Sequence, residues 1–236
     1  MDVKTATDVG QVRENNEDAL WVGPQCLVVC DGMGGHVAGE VAAELAVGVI
    51  RSFPFGEGEP QQEIAEAIAQ AQARILEEAS QNEEYQGMGS TITLAWVSPP
   101  RQDGQRELIV GHVGDSRCYL YADGELQQLT DDHSVVGEML RSGTITSLEA
   151  RTHPKRHILT QVLGSPEIEP QLVTRLLQPG SVILLCTDGL TDVVDDALLA
   201  NTLQRGFQSA NLAQELVDLA NGMGGPDNIT VIVAKV

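Results

Sequence analysis

One stretch of the chain decides the fold, CLVVCDGMGGH at residues 26–36. Residues 26–30 form a continuous apolar run, which is typical of a strand that is covered on both faces. The run ends at Asp31-Gly32, and beyond the glycine-rich turn a valine or leucine recurs at every fourth position from Val37 to Val49. The stretch therefore predicts a buried strand, an acidic tip and a helix with one apolar stripe.

Further strands and helices are predicted along the rest of the chain. Strand-like runs lie at residues 3–7, 19–22, 90–97, 107–113, 117–121, 172–176, 182–187 and 229–233, and helical patterns lie at residues 64–79, 195–205 and 210–223. Asp123-Gly124 predicts the turn of a hairpin. Strands at both ends, helices in pairs and hairpin strands in the middle predict an α+β arrangement of layers, in contrast to alternating βαβ units.

Residues 130–165 differ in texture from the segments on either side of them. They are polar and irregular, with a single helix predicted at residues 134–142. A long, weakly structured insert in a compact domain is usually a functional loop. The insert carries His153 and His157, for which contact with a substrate is one hypothesis.

Acidic residues recur where the predicted strands begin or end. They are Glu17 and Asp18 before the strand at 19, Asp31 after residues 26–30, Asp115 after residues 107–113, Asp188 after residues 182–187, and Asp227-Asn228 before the last strand. Each pair alone is most often an ordinary turn. Together they predict a metal site, because converging carboxylates repel one another unless divalent cations neutralise them. Oxygen ligands favour Mg²⁺ or Mn²⁺ over zinc.

The composition excludes several classes of partner. The chain has 236 residues, 14 of them basic and 34 acidic, with a formal net charge of −20. A polyanion of this strength argues against binding to nucleic acid or to an anionic membrane. No apolar run approaches the roughly 20 residues of a spanning helix, and no secretory signal is visible. The four cysteines lie in apolar runs and are predicted to be buried thiols, so a cytoplasmic protein is expected.

Other phosphate-binding and phosphate-transfer sites fit the sequence poorly. The third glycine position of a dinucleotide fingerprint falls on Val37, and Asp31 at the strand tip would repel a pyrophosphate. No G-x-x-x-x-G-K-[ST] run is present, so a P-loop is excluded. A D-x-D nucleophile and a cysteine followed six positions later by arginine are also missing. The expected chemistry therefore needs no protein nucleophile.

Several motifs occur in one order along the chain. They are Arg13-Glu14-Asn15-Asn16-Glu17-Asp18-Ala19, Asp31-Gly32-Met33-Gly34-Gly35-His36, Gly89-Ser90-Thr91, Gly114-Asp115-Ser116-Arg117, Thr187-Asp188-Gly189-Leu190 and Asp227-Asn228-Ile229-Thr230. In this order the chain resembles the metal-dependent PP2C (PPM) family of Ser/Thr protein phosphatases, bacterial type. The resemblance implies a four-layer α-β-β-α sandwich of two antiparallel sheets flanked by helix pairs. It also implies one catalytic domain over residues 1–236, with a flap at about 130–165.

The same resemblance implies a role for each site residue. Two Mg²⁺ or Mn²⁺ ions would activate a water that attacks phosphoserine or phosphothreonine, and a third ion is possible. The implied roles are these: Asp31 bridges the two ions; the Gly32 carbonyl and Glu17 hold one and Asp188 and Asp227 the other; Asp115 with Asp188 holds the third; Asp18 and Asn228 orient waters or ligands; Arg13 grips the phosphate; and His36 is the general acid.

The implied partners are phosphorylated proteins as substrates, with opposing Ser/Thr kinases, and the protein is expected to be a monomer that binds neither nucleic acid nor membrane. Three alternatives stay open at this point. One is a non-catalytic phosphoprotein-binding module on the same fold. Another is a metal-dependent phosphoesterase that acts on small molecules or nucleotides. A purely structural scaffold is the least favoured, because nothing would then offset the repulsion between the carboxylates.

Overall fold

The computed structural model describes residues 1–35, 37–206, 209 and 211–236. The strands are β1 (Asp2–Asp8), β2 (Asp18–Val22), β3 (Cys26–Met33), β4 (Gly89–Ser90), β5 (Ile92–Val97), β6 (Arg106–Val113), β7 (Arg117–Ala122), β8 (Glu125–Gln128), β9 (Gln171–Leu177), β10 (Val182–Cys186) and β11 (Ile229–Lys235). The helices are α1 (Ala38–Ser52), α2 (Pro60–Gln81), α3 (Val135–Arg141), α4 (Ser147–Thr152), α5 (Asp188–Thr191), α6 (Asp196–Gly206) and α7 (Leu212–Gly222).

The strands form two antiparallel sheets. One has the order β1-β11-β10-β7-β8, and the other has the order β2-β3-β5-β6-β9, with β4 paired to β3. The first and last strands of the chain are therefore neighbours in one sheet, as Asp2 pairs with Lys235. The β7–β8 hairpin turns at Asp123 and Gly124, whose φ angles of 54° and 86° give the left-handed turn expected from this dipeptide.

Alternate residues of the central strands point into different layers. Cys26, Val28 and Cys30 of β3 pack with α1 and α2, whereas Leu27 and Val29 pack between the two sheets. In the other sheet, Leu184 of β10 packs with α6 and α7. The layer order is thus helices, sheet, sheet, helices, so the predicted four-layer sandwich of the α+β class is confirmed. All four cysteines are buried and free.

The predicted apolar stripe of helix α1 is only partly buried. Val37 is 50% exposed, and the valines and leucine that follow it at every fourth position are only partly buried. The helix packs through small residues, Ala42, Ala43 and Ala46. Alanines leave the backbone of α1 close to the sheet, whereas the larger side chains would hold it away. Val41, Leu45 and Val49 still pack against the margin of the core, and the fully buried positions lie beside them.

Two further expectations are corrected. Strand β3 does not stop at residue 30 but runs through Asp31 and Gly32 to Met33, because residues 32 and 33 pair with β4. The insert contains a second helix, α4, which was not predicted. Its capping box was readable in the sequence: Thr146 accepts a hydrogen bond from the Glu149 amide, and the Glu149 carboxylate accepts one from the Thr146 amide. Among the described residues, no helix is long and apolar enough to cross a membrane.

Candidate metal centre

Asp31 is held by the ladder between two sheet strands. Its Cα lies opposite that of Asp18 across the β2–β3 pair. The Asp31 amide donates to Thr91 Oγ1 at 2.9 Å, and the Asp31 carbonyl accepts from the Thr91 amide at 2.9 Å. The backbone of Asp31 is therefore fixed on both sides, and its carboxylate faces that of Asp18 with little freedom to move away.

Two glycines let α1 approach this edge. A Cβ on Gly32 would lie 2.0 Å from the Gly39 carbonyl oxygen and 2.6 Å from the Glu17 carbonyl oxygen, so no side chain fits there. A Cβ on Gly39 would lie 2.7 Å from Glu17 Oε2. The first turn of α1 thus closes against the carboxylate of Glu17, where the partial positive charge of a helix N-terminus favours an anion.

Asn228 ties the loop before β2 to the start of β11. Its Oδ1 accepts from the Glu17 amide at 2.8 Å, and its Nδ2 donates to the carbonyls of Asn15 at 2.8 Å and Val9 at 3.0 Å. All three of these hydrogen bonds join the Asn228 side chain to backbone groups. It therefore positions the loop that carries Arg13 and Glu17.

Asp227 is paired with a cationic side chain. Arg13 Nη2 donates to Asp227 Oδ2 at 2.7 Å, and the Asn228 amide donates to Asp227 Oδ1 at 2.9 Å. Although partial burial lowers the pKa of the Arg13 guanidinium, the ion pair with Asp227 and the nearby carboxylates of Glu17 and Asp31 raise it above its ordinary value.

Two buried carboxylate oxygens lack a partner. Asp18 Oδ2 accepts from Thr187 Oγ1 at 2.8 Å, but within the described residues neither Asp18 Oδ1 nor Asp188 Oδ1 has a hydrogen-bond partner. Buried polar atoms are nearly always satisfied, so orphaned carboxylate oxygens at one edge of the sheets need an explanation. A divalent cation with oxygen ligands fits this donor set.

The carboxylates perturb one another, which shows that they converge. Burial raises the pKa of Asp31 well above its usual range, and the charges of Asp18, Asp188, Asp115 and Asp227 raise it further. Burial also raises the pKa of Asp188 well above its usual range, and the charge of Asp115 raises it further. The pKa is raised to about 7 for Asp18, mainly by burial, and to about 7 for Asp115, by burial and then by Asp132.

A trio of possible ligands lies at the flap side of the cluster. One ligand atom each from His157, Asp188 and Asp192 lie within 4.8 Å of one another. Asp192 was not predicted as a site residue. Its signal was its spacing, because Asp192 follows Asp188 by four residues and the short helix α5 returns it to the same side. Asp115, predicted to share a third ion with Asp188, is not in this trio but acts on the pKa of Asp188.

The remaining histidines divide into two groups. His112 is buried and hydrogen-bonds to Thr93 Oγ1 at 2.9 Å, and His133 Nδ1 accepts from the Gly114 amide at 3.2 Å, so both have a structural role. Burial lowers the pKa of His112 to about 3. His36, the predicted general acid, lies outside the described residues.

The fold and the acid cluster together define a class of protein. A sandwich whose sheets gather buried, partly unsatisfied carboxylates at one edge has the features of a metal-dependent hydrolase.

Comparison with known proteins identifies the family within this class. The protein phosphatase 2C family profile matches residues 11–221. Serine/threonine protein phosphatase PstP of Mycobacterium tuberculosis is 39% identical over 232 residues, which are 98% of this chain and 44% of PstP. Protein phosphatase PhpP of Streptococcus pneumoniae is 35% identical over 247 residues, covering 100% of this chain and 97% of PhpP.

Solved structures agree with this match. A crystal structure of M. tuberculosis PstP/Ppp superimposes with a TM-score of 0.91 at 36% identity, covering 100% of this chain and 98% of that one. A structure of the PstP catalytic domain in complex with two manganese ions has a TM-score of 0.89 at 36% identity, covering 99% and 97%. The chain therefore belongs to the protein phosphatase 2C family of Ser/Thr protein phosphatases, as the motifs predicted.

Proposed function

We propose that this protein is a metal-dependent protein Ser/Thr phosphatase that hydrolyses phosphoserine and phosphothreonine with two Mg²⁺ or Mn²⁺ ions. One observation carries the proposal: the carboxylates of the half-buried residues Asp18, Asp31 and Asp188 converge, and one buried oxygen each of Asp18 and Asp188 has no partner among the described residues. The two manganese ions of the PstP catalytic domain support it.

The ligand set that we propose is the one that the family motifs imply. Asp31 lies at its centre, with the Gly32 carbonyl and Glu17 on the side of α1, and Asp188 and Asp227 on the side of β10 and β11. A weaker third ion would take Asp188 with Asp115, Asp192 and His157. When bound, the ions supply a water of lowered pKa and neutralise the charge of the phosphate.

The other residues act through positioning and charge. Asp18, fixed by Thr187, orients the ligands around Asp31, and Asn228 holds the loop that carries Glu17. Arg13 binds phosphate oxygens through its planar guanidinium, which offsets the repulsion that the acidic edge would exert on the substrate. For His36 we retain the role of proton donor to the leaving alkoxide.

We also propose the substrates, the partners and the location of the protein. The names of the relatives support phosphorylated proteins as substrates, and we propose opposing Ser/Thr kinases, a monomeric state and a cytoplasmic location. The net charge of −20 disfavours nucleic acid and anionic membranes as partners. We further propose that residues 1–236 act as one catalytic domain, in which residues 130–165 form the flap.

The decisive experiment measures phosphate release from p-nitrophenyl phosphate, a phosphothreonine peptide and a panel of free phosphometabolites. Activity should require Mn²⁺ or Mg²⁺, disappear in EDTA, and favour the peptide over the metabolites. Preference for the metabolites would support the small-molecule alternative. Manganese binding without turnover of any substrate would support the phosphoprotein-binding alternative instead. The variant Asp218→Asn, which removes an exposed acid of α7, is a control that should retain full activity.

A further inference from the structure

Arg13 forms an ion pair with Asp227, which is a proposed metal ligand. Its Nη2 donates to Asp227 Oδ2 at 2.7 Å, while the backbone amide of Asn228 donates to Asp227 Oδ1. Both carboxylate oxygens of Asp227 therefore already have a donor. Asp18 and Asp188 differ, because each has a buried oxygen with no hydrogen-bond partner among the described residues.

The guanidinium also lies in the field of other proposed ligands. The carboxylates of Glu17 and Asp31 raise the pKa of Arg13, as the carboxylate of Asp227 does. Arg13 is thus a counter-ion that this edge carries within its own sequence. A divalent cation that binds Asp227 neutralises its carboxylate in place of Arg13, so the ion pair is no longer needed to offset that charge.

Arg13 is free to change partners. Its side chain is 51% exposed and that of Asp227 is 31% exposed, and Arg13 lies in the loop between β1 and β2. An exposed ion pair of this kind contributes little net energy, so a stronger partner can break it. A phosphate dianion is such a partner, since it accepts two parallel N–H bonds from one guanidinium.

We propose that Arg13 exchanges partners during the reaction cycle: it pairs with Asp227 before the cation binds, and with the phosphate afterwards. The inference rests on the proposed role of Asp227 as a metal ligand. Cation and guanidinium then compete for Asp227, and the cation releases the group that binds the substrate. Metal binding therefore precedes and promotes phosphate binding.

The test is the affinity of metal-stripped protein for Mn²⁺, measured by titration calorimetry. Arg13→Ala should bind Mn²⁺ about two- to fivefold more tightly than Arg51→Ala, which removes the same charge from the exposed end of α1. Arg13→Lys should lie between the two. An affinity for Arg13→Ala equal to or weaker than that of Arg51→Ala would overturn the exchange.

Asp227→Asn separates this inference from the proposed function. If Asp227 is a ligand, Asp227→Asn weakens Mn²⁺ binding, and adding Arg13→Ala to it produces no further tightening. Unchanged Mn²⁺ binding in Asp227→Asn would instead refute the ligand assignment itself. A second titration uses inorganic phosphate: Mn²⁺ should strengthen its binding to the unmodified chain much more than its binding to Arg13→Ala. Equal strengthening in both proteins would contradict the release of Arg13.

Discussion

The acidic edge and the flap (residues 130–165) are held in different ways. At the edge, Asp31 lies within a strand paired on both sides, and Asp188 directly follows a buried strand of the other sheet. The flap consists of two short helices and connecting turns; the bridge between Ser134 and Leu159 lies within it, and the bridge between Ser90 and Leu163 joins it to the body. Its side chains include Leu148, which is 79% exposed.

This difference suggests a division of labour. Metal ligands must keep their positions to a fraction of an ångström, which suits residues fixed by strand ladders. The proposed flap presents exposed side chains such as Leu148, which suits contact with a protein substrate. We therefore expect substitutions at the edge to change chemistry, and substitutions in the flap to change cation retention and substrate choice.

The largest effect is expected for Asp31→Asn. Turnover should fall by on the order of 1,000-fold or more, because the central ligand of the proposed site is lost. The metal-free variant should melt at a higher temperature than the unmodified chain, because the neutral amide removes the cost of holding a carboxyl group among the other acids. Phosphate release and thermal melts in EDTA measure the two effects. A variant within tenfold of normal turnover would contradict the central role of Asp31.

The pH dependence of stability tests whether the carboxylates of the acidic edge lie close together. Burial raises the pKa of Asp18 and Asp115 to about 7, far above the value in an unfolded chain. Between about pH 4 and pH 7 the folded state therefore binds more protons than the unfolded state, so the stability of the metal-free protein should fall as pH rises. Urea titrations in EDTA should show a loss on the order of a few kcal/mol. Mn²⁺ should reduce this loss, and a stability that rises over this range would refute the convergence.

His157→Ala tests how the flap meets the edge. Losing the imidazole beside Asp188 and Asp192 should weaken the weaker Mn²⁺ site by about tenfold while leaving the tighter ions in place. Asp192→Asn should act in the same direction. His153→Ala is the matched control, since His153 lies in the same segment but outside the trio. Equal losses in His153→Ala and His157→Ala would indicate a general disturbance of the flap.

The smallest effect is expected for Ile158→Ser. Ile158 is 48% exposed and follows His157, so a protein substrate bound at the edge can cover it. Losing that apolar contact should raise KM for a phosphothreonine peptide about two- to fivefold, which corresponds to about 1 kcal/mol. Turnover of p-nitrophenyl phosphate should be unchanged, because this small ester has no peptide chain to cover Ile158. A similar change for both substrates would place Ile158 outside substrate selection.

Much of the fold and most of the edge could be predicted from the sequence. Continuous apolar runs identify buried strands, and acids at strand ends stand out because burial makes them costly. Asp192 could not be found in this way, since its relation to Asp188 depends on a single turn of helix. The buried face of α1 could not be found either: Ala42 and Ala46 carry little hydrophobic signal, although their small size lets the helix approach the sheet.

The side chain of Asn228 has a consequence for how the protein is made. Its bonds to Glu17, Asn15 and Val9 span 211, 213 and 219 residues of chain. Such distant contacts are the last to form and slow the folding of a domain. In a chain that is emerging from the ribosome, the loop that carries Glu17 lacks these bonds until Asn228 has been synthesised. The nascent chain should therefore be unable to capture its cations before Asn228 and β11 have been synthesised.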